Sequence, residues 1–80
     1  MFKMMVTDAM KVHDNLVSVA GVCSNKSEFT GHLTDCNGNN YEAHIPFDKR
    51  LEFDDSRIML GIFGRYDATS FIGQTLRNTT

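Results

Sequence analysis

The chain has 80 residues, 41% of them hydrophobic and 22% charged, and a formal net charge of −2 at pH 7. This size and composition predict a single small globular domain over residues 1–80, able to bury only somewhat more than ~60% of its unfolded surface. The eight Lys and Arg residues are scattered along the chain, which argues against a nucleic-acid or membrane partner, since both attract clustered positive charge.

The N-terminal sequence indicates a cytoplasmic protein. Residues 1–6 contain a lysine but lack the apolar region of a signal peptide, and no apolar run approaches the ~20 residues of a membrane span. In that compartment Cys23 and Cys36 are most simply free thiols. The paired C-x-x-C spacing of a structural zinc site is absent, and we expect no metal and no cofactor.

The first part of the chain predicts two strands. Residues 1–6 alternate apolar and other side chains, a period of two that is typical of a half-buried strand. Residues 9–12 are ambiguous, either a strand or a bend that carries apolar side chains into the core. Residues 16–23 are apolar on both faces, which indicates a central strand, and Gly21 within them predicts a bulge or a close backbone approach.

Residues 28–47 carry the strongest fold signal, that of a β-hairpin. Leu33 and Tyr41 belong to the apolar sets of two alternating runs, so they must lie on one face and oppose each other. A two-residue loop would oppose Leu33 to a glutamate, whereas a three-residue loop gives the required pairing. That loop puts Asp35 at the first position of a type I turn and Gly38 where a left-handed residue is needed.

The predicted register divides the side chains of the hairpin between two faces. The core face receives Phe29, Leu33, Tyr41 and Ile45. The outward face receives His32, Glu42 and His44, with His32 opposite Glu42. Two imidazoles and a carboxylate on one face form a candidate metal or acid–base site. The alternative is a polar stripe with one cross-strand charge pair, worth about 0.2–1 kcal/mol.

The rest of the chain completes an all-β pattern. Residues 51–53 predict a short strand and residues 57–64 a strong one. After a polar connection at 65–70, residues 71–76 predict the closing strand, and the tail 77–80 is expected to fray. About six short strands, with turn signals roughly every ten residues, predict a closed or nearly closed antiparallel β-barrel.

The C-terminal pattern resembles a known domain. An alternating strand ends at Gly64, a polar loop follows, and an aliphatic residue, a Gly-Gln pair and another aliphatic residue come next. These last positions are Ile72, Gly73, Gln74 and Leu76. The arrangement resembles the end of the β-barrel that forms domain 2 of elongation factor Tu and related translational GTPases. Residues 4–12 and 19–22 resemble early strands of that barrel, so the likeness touches most of the chain.

The resemblance implies the fold of the family but not its GTPase chemistry. The chain has no G-x-x-x-x-G-K-[ST] phosphate loop, and an Asp-Cys-Asn-Gly turn stands where the family usually has Gly-Asp. The resemblance therefore implies an elongation-factor-Tu-domain-2-like barrel. As a function it implies an RNA- or ribosome-associated role without GTP hydrolysis.

No residue spacing points to an enzyme. His13 beside Asp14 is first a turn pair, and Cys36 has no basic neighbour in sequence that would activate its thiol. No serine lies in a G-x-S-x-G elbow. We therefore expect no catalytic activity.

An outward apolar patch is the remaining candidate site. Its predicted members are Met5, Met59, Phe63 and Phe71, because one face of each strand in a closed barrel looks outward. One alternative is that the N-terminal segment or the 65–70 loop covers these side chains. The other is that they form an interaction surface. Self-association is the simplest use of such a surface.

These observations favour a non-enzymatic β-barrel binding module that acts by protein–protein interaction or self-association. One alternative is an RNA- or ribosome-associated barrel related to translation factors. A second alternative is a protein that binds a metal or small ligand through His32, Glu42 and His44.

Overall fold

A computed structural model describes residues 1–45 and 56–79. In this part of the chain, six antiparallel strands close into a barrel in the order β1-β2-β5-β4-β3-β6. The strands are β1 Lys3–His13, β2 Leu16–Ser24, β3 His32–Thr34, β4 Asn40–His44, β5 Arg57–Phe63 and β6 Thr75–Asn78. The predicted all-β barrel is confirmed, and the predicted strand 51–53 lies outside the described residues.

Alternation along the strands fills the interior of the barrel. Val17 on β2 lies opposite Ile62 on β5, and Val19 lies opposite Leu60. All four side chains are buried. The core also contains Phe2, Met4, Val6, Cys23, Leu33, Ala43, Ile58, Ala68, Phe71 and Leu76. Removal of this apolar surface from water is the main driving force for folding of so small a domain.

The first strand is continuous through the ambiguous residues 9–12. Its pairing with β2 shifts between Val6 and Asp8, opposite Gly21, which marks a β-bulge. A Cβ atom on Gly21 would overlap the carbonyl oxygen of Met5. Position 21 therefore requires glycine, and the predicted close backbone approach is confirmed.

The hairpin between β3 and β4 has the predicted register and turn. Leu33 pairs with Tyr41. The amide of Gly38 donates to the carbonyl oxygen of Asp35 (3.2 Å), and Gly38 has a φ of 86°. The three-residue loop and its left-handed glycine are therefore confirmed.

The core face of the hairpin differs from the prediction at one position. Leu33 is buried, and Phe29 and Tyr41 are partly buried and pack against the core. Ile45 is half exposed instead, so its placement in the core is wrong. The physical reason is that β4 ends at His44, and strict alternation of faces holds only within a strand.

The predicted closing strand at 71–76 is partly wrong. A 3₁₀ helix, Ala68–Phe71, precedes β6, and the carboxylate of Asp67 caps it by accepting from the amide of Thr69 (3.2 Å). Phe71 is therefore buried in a helical turn, and β6 begins only at Thr75. A capping aspartate followed by small polar residues favours a turn over a strand.

The C-terminal strand is held in place by a buried amide. The side chain of Asn78 accepts from the amide of Thr30 (3.4 Å) and donates to the carbonyl oxygen of Glu28 (2.8 Å). Because Arg77 and Asn78 belong to β6, the predicted fraying is wrong for these two residues. The sequence pattern contained no sign of the distant partners of Asn78.

Replacement of the interior glycine tests the close contact between β1 and β2. Gly21→Ala should lower the free energy of unfolding by more than ~3 kcal/mol, because backbone atoms must move to admit the methyl group. Urea denaturation followed by circular dichroism measures the change. Ser18→Ala in the same strand is the control and should cost less than ~1 kcal/mol. A Gly21→Ala variant as stable as the parent would contradict the close approach.

Candidate functional site

Outward side chains of β1, β2 and β5 form a largely apolar surface, which we call the outer face. Its members are Met5, Met10, Leu16, Ala20, Val22, Met59 and Phe63. Met5 lies directly opposite Val22 on the neighbouring strand, and Leu16 lies opposite Phe63. The cross-strand pairing therefore joins these side chains into one surface centred on β2.

The outer face is substantially exposed to solvent. Met5, Met10, Val22 and Phe63 have exposed fractions of 51%, 65%, 49% and 46%. The N-terminal residue does not cover Met5; instead, its amine pairs with Glu28 (3.3 Å). Contiguous exposed apolar side chains are a common mark of interaction surfaces.

Three of the four residues of the predicted apolar patch lie on the outer face, and the fourth does not. Met5, Met59 and Phe63 lie on the outer face, with Met59 half-buried. Phe71 is buried, and its ring packs edge-on against Tyr41 at a centroid distance of 5.3 Å. It points inward because it belongs to the 3₁₀ helix and not to a strand.

Sequence reasoning left four members of the outer face, Met10, Leu16, Ala20 and Val22, out of the predicted patch. Val22 could have been found, because it alternates with the buried Val17 and Val19 along β2. Met10 could not, because its orientation depends on β1 continuing beyond its bulge. Both residues extend the surface beyond the predicted patch.

Charged side chains lie at the two ends of the outer face and at its β1 edge, where Asp8 lies opposite Ala20. Lys3 and Arg57 lie at the end where β1 and β5 begin, beside the Met5–Val22 pair. Glu42 lies at the other end, directly opposite Phe63. The outer face therefore has a positive end and a negative end.

The three residues of the candidate metal face lie on β3 and β4. His32 pairs with Glu42 across β3 and β4, as predicted. The ring of His44 stacks on Phe63 with centroids 4.8 Å apart, above Gly61, and its buried Nδ1 has no hydrogen-bond partner. Within residues 1–45 and 56–79, no group of three His, Cys, Asp or Glu side chains is placed to hold a metal ion.

Asp35 has a structural role beyond its predicted place at the first position of the turn. The residue is buried, with 4% of its surface exposed. One carboxylate oxygen accepts from the amides of Asn37 (2.9 Å) and Asn39 (3.0 Å). The other accepts from the side-chain amide of Asn39 (3.1 Å) and the hydroxyl of Tyr41 (2.8 Å). This cluster fixes both the turn and the ring of Tyr41.

The cluster shifts the pKa values of both acidic groups. Burial alone would raise the pKa of Asp35, but hydrogen bonds from Tyr41, Asn39 and Asn37 outweigh it and hold that pKa below the usual 3.8. Burial and the hydrogen bond to Asp35 raise the pKa of Tyr41 to about 12. The pair therefore stays as carboxylate and neutral phenol across the physiological range.

Cys23, Cys36 and His13 are the remaining candidate groups from the sequence. Cys23 is buried and Cys36 is exposed, and no disulfide joins them. The Nδ1 atom of His13 accepts from the amide of Asn15 (3.2 Å), which is a turn contact. This contact agrees with the interpretation of His13 as a turn residue.

Comparisons with protein-family models, curated proteins and solved structures find no match. Among the described residues, no helix has the length and apolar character needed to cross a membrane.

Removal of the buried charge tests the role of the Asp35 cluster. Asp35→Asn should lower the free energy of unfolding at pH 7 by about 1.5–3 kcal/mol, because an amide nitrogen would face the side-chain amide of Asn39. The folded pKa of Asp35 is lowered, so its stabilisation is complete above pH 3.8 and is lost as pH falls through the folded value. Urea unfolding measured from pH 7 to pH 2 gives both quantities.

The variant should therefore lose less stability in acid than the parent protein. Asp14→Asn is the matched control, because Asp14 is exposed and forms only a surface pair with Lys11 (3.8 Å), and it should cost less than ~1 kcal/mol. Equal costs for the two variants would contradict the role assigned to Asp35.

Zinc titration tests the metal hypothesis for His32, Glu42 and His44. Because His44 packs against Phe63, excess Zn²⁺ should leave Tm unchanged. A ligand that bound the folded state at a hundredfold its Kd would add ~2.7 kcal/mol of stability, which calorimetry would detect. A rise in Tm that His44→Gln abolishes would restore the metal site.

Proposed function

We propose that this protein is a non-enzymatic β-barrel module that binds a second copy of itself through the outer face. The half-exposed Met5, Val22 and Phe63 support the proposal. Burial of apolar surface stabilises a complex by about 25 cal/mol per Å². The loss of translational and rotational freedom on association opposes this stabilisation. The small size of the face favours a weak complex, with a Kd of roughly 10–500 µM.

The distribution of charge favours one orientation of the two copies. In a two-fold dimer, the outer face of one copy contacts the outer face of the other. If the axis runs across the strands, the strands of the two copies are antiparallel. Arg57 of one copy then lies near Glu42 of the other. An axis along the strands would instead bring Lys3 near Arg57, which like charges disfavour.

Substitutions on the outer face test the association. The parent chain should show a rising weight-average mass in sedimentation velocity between ~10 µM and ~1 mM. Val22→Ser and Phe63→Ser should each weaken association by ~5-fold or more, because a polar group replaces buried apolar surface. Ile72→Ser is the control: Ile72 is equally exposed, at 49%, but lies outside the outer face. A monomeric parent chain at ~1 mM would overturn the proposal.

Charge reversal tests the orientation separately. Glu42→Lys should weaken the dimer, since it faces Arg57 of the second copy in the proposed orientation. Adding Arg57→Glu to the same chain should restore association. Each of the two contacts between positions 42 and 57 then again joins a positive and a negative side chain. If the double variant does not associate again, this orientation is wrong. The Val22 and Phe63 variants would still test whether the outer face is the interface.

The proposal includes a cytoplasmic module without catalytic activity of its own. Its relation to domain 2 of elongation factor Tu is likewise a proposal, supported by the residues at 58–76 that resemble that barrel. An RNA- or ribosome-associated role and a metal- or ligand-binding role remain predictions from the sequence. The outer face favours self-association over both alternatives, because neither gives a role to its apolar side chains.

A further inference from the structure

A pocket of about 320 Å³ opens at one mouth of the barrel, and we call it the mouth pocket. Its lining residues are Lys11, Asp14, Arg65 and Tyr66. Lys11 pairs with the buried Val17, which puts the lysine on the inward side of β1 where the barrel meets solvent. Barrel mouths are frequent positions of small-molecule sites, and this volume lies within their usual range.

Contacts outside the pocket hold its walls in place. The amide of Gly64 donates to the carbonyl oxygen of Asn15 (2.8 Å), which ties the segment after β5 to the β1–β2 turn. The ring of Tyr66 packs edge-on against Tyr41 at a centroid distance of 5.1 Å. Arg65 lies between these two anchored residues. Because the backbone is fixed on both sides of Arg65, only its side chain must be ordered when its guanidinium binds a ligand.

The mouth pocket carries an excess of positive charge. Asp14 partly compensates Lys11, with 3.8 Å between the carboxylate oxygen and the amine. Arg65 has no ion-pair partner within residues 1–45 and 56–79. A guanidinium matches the geometry of a carboxylate or phosphate group with two parallel hydrogen bonds. The adjacent Tyr66 is 37% exposed and offers a flat apolar surface beside that charge.

We propose that the mouth pocket binds a small oxyanion, a carboxylate or phosphate group. Arg65 is its main ligand, Lys11 adds a second positive charge, and Tyr66 packs against any ring that the oxyanion carries. The ligand is either a free inorganic ion or the anionic group of a ring-bearing organic molecule. Arg65 and Lys11 would bind the oxyanion of either ligand in the same way. This site extends beyond the proposed function, because it does not use the apolar surface of the outer face.

Two ligands distinguish the sources of the oxyanion. Inorganic phosphate and phenyl phosphate are each titrated to ~20 mM at constant ionic strength while amide and arginine side-chain NMR signals are recorded. We expect saturable shifts at Lys11, Arg65 and Tyr66. Tighter binding of phenyl phosphate indicates an organic ligand, and equal binding indicates the free ion. Phenol at the same concentrations is the neutral control and should leave the Arg65 side-chain signal unchanged.

Variants assign the binding to the pocket. Arg65→Gln should weaken the binding of either ligand by ~10-fold or more, whereas Arg77→Gln, an exposed arginine on β6, should leave the binding constant unchanged. If Arg65→Gln fails to fold, Lys11→Gln serves instead, with a smaller loss expected. Absence of saturation with both ligands, or binding insensitive to the pocket variants, would overturn the proposal.

Discussion

Closure of the barrel depends on β1, the strand that joins the last strand of the chain to the rest of the sheet. It pairs with β2 along most of its length and with β6 from Lys3 to Met5. The bulge opposite Gly21 then lets β1 diverge from β6 while it stays paired with β2. Gly21 is needed there because the backbone of Met5 fills the space of a side chain. Both candidate sites follow from this path of the chain.

Closure of so short a chain has two consequences for its surface. The inward side chains are used to fill the interior, so the outward side chains of β1, β2 and β5 have no second layer within the described residues to pack against. The extension of the β1–β2 hairpin also carries Lys11 and Asp14 beyond the level of β6, next to the loop after β5. An apolar face and a charged mouth therefore arise from the same arrangement of strands.

Agreement between sequence and structure was good where the interactions are local. The β3–β4 hairpin was predictable because two independent constraints, side-chain parity and turn chemistry, select the same loop. The inward face of β5 was predictable for a similar reason, since Ile58, Leu60 and Ile62 alternate without interruption. Phe71 was assigned wrongly because two local signals conflict there. The apolar residues from Phe71 onward favour a strand, whereas Asp67 caps a 3₁₀ helix that includes Phe71.

The sequence by itself determined the β class, the hairpin register and three members of the outer face, because each depends on spacing within one strand or one turn. The tertiary structure alone decided the order of the strands around the barrel, that Asn78 joins β6 to the segment before β3, and that Lys11 and Arg65 share a pocket. These contacts join residues about 50 positions apart, and they depend on strand order and on a bulge. Local alternation contains no information about either.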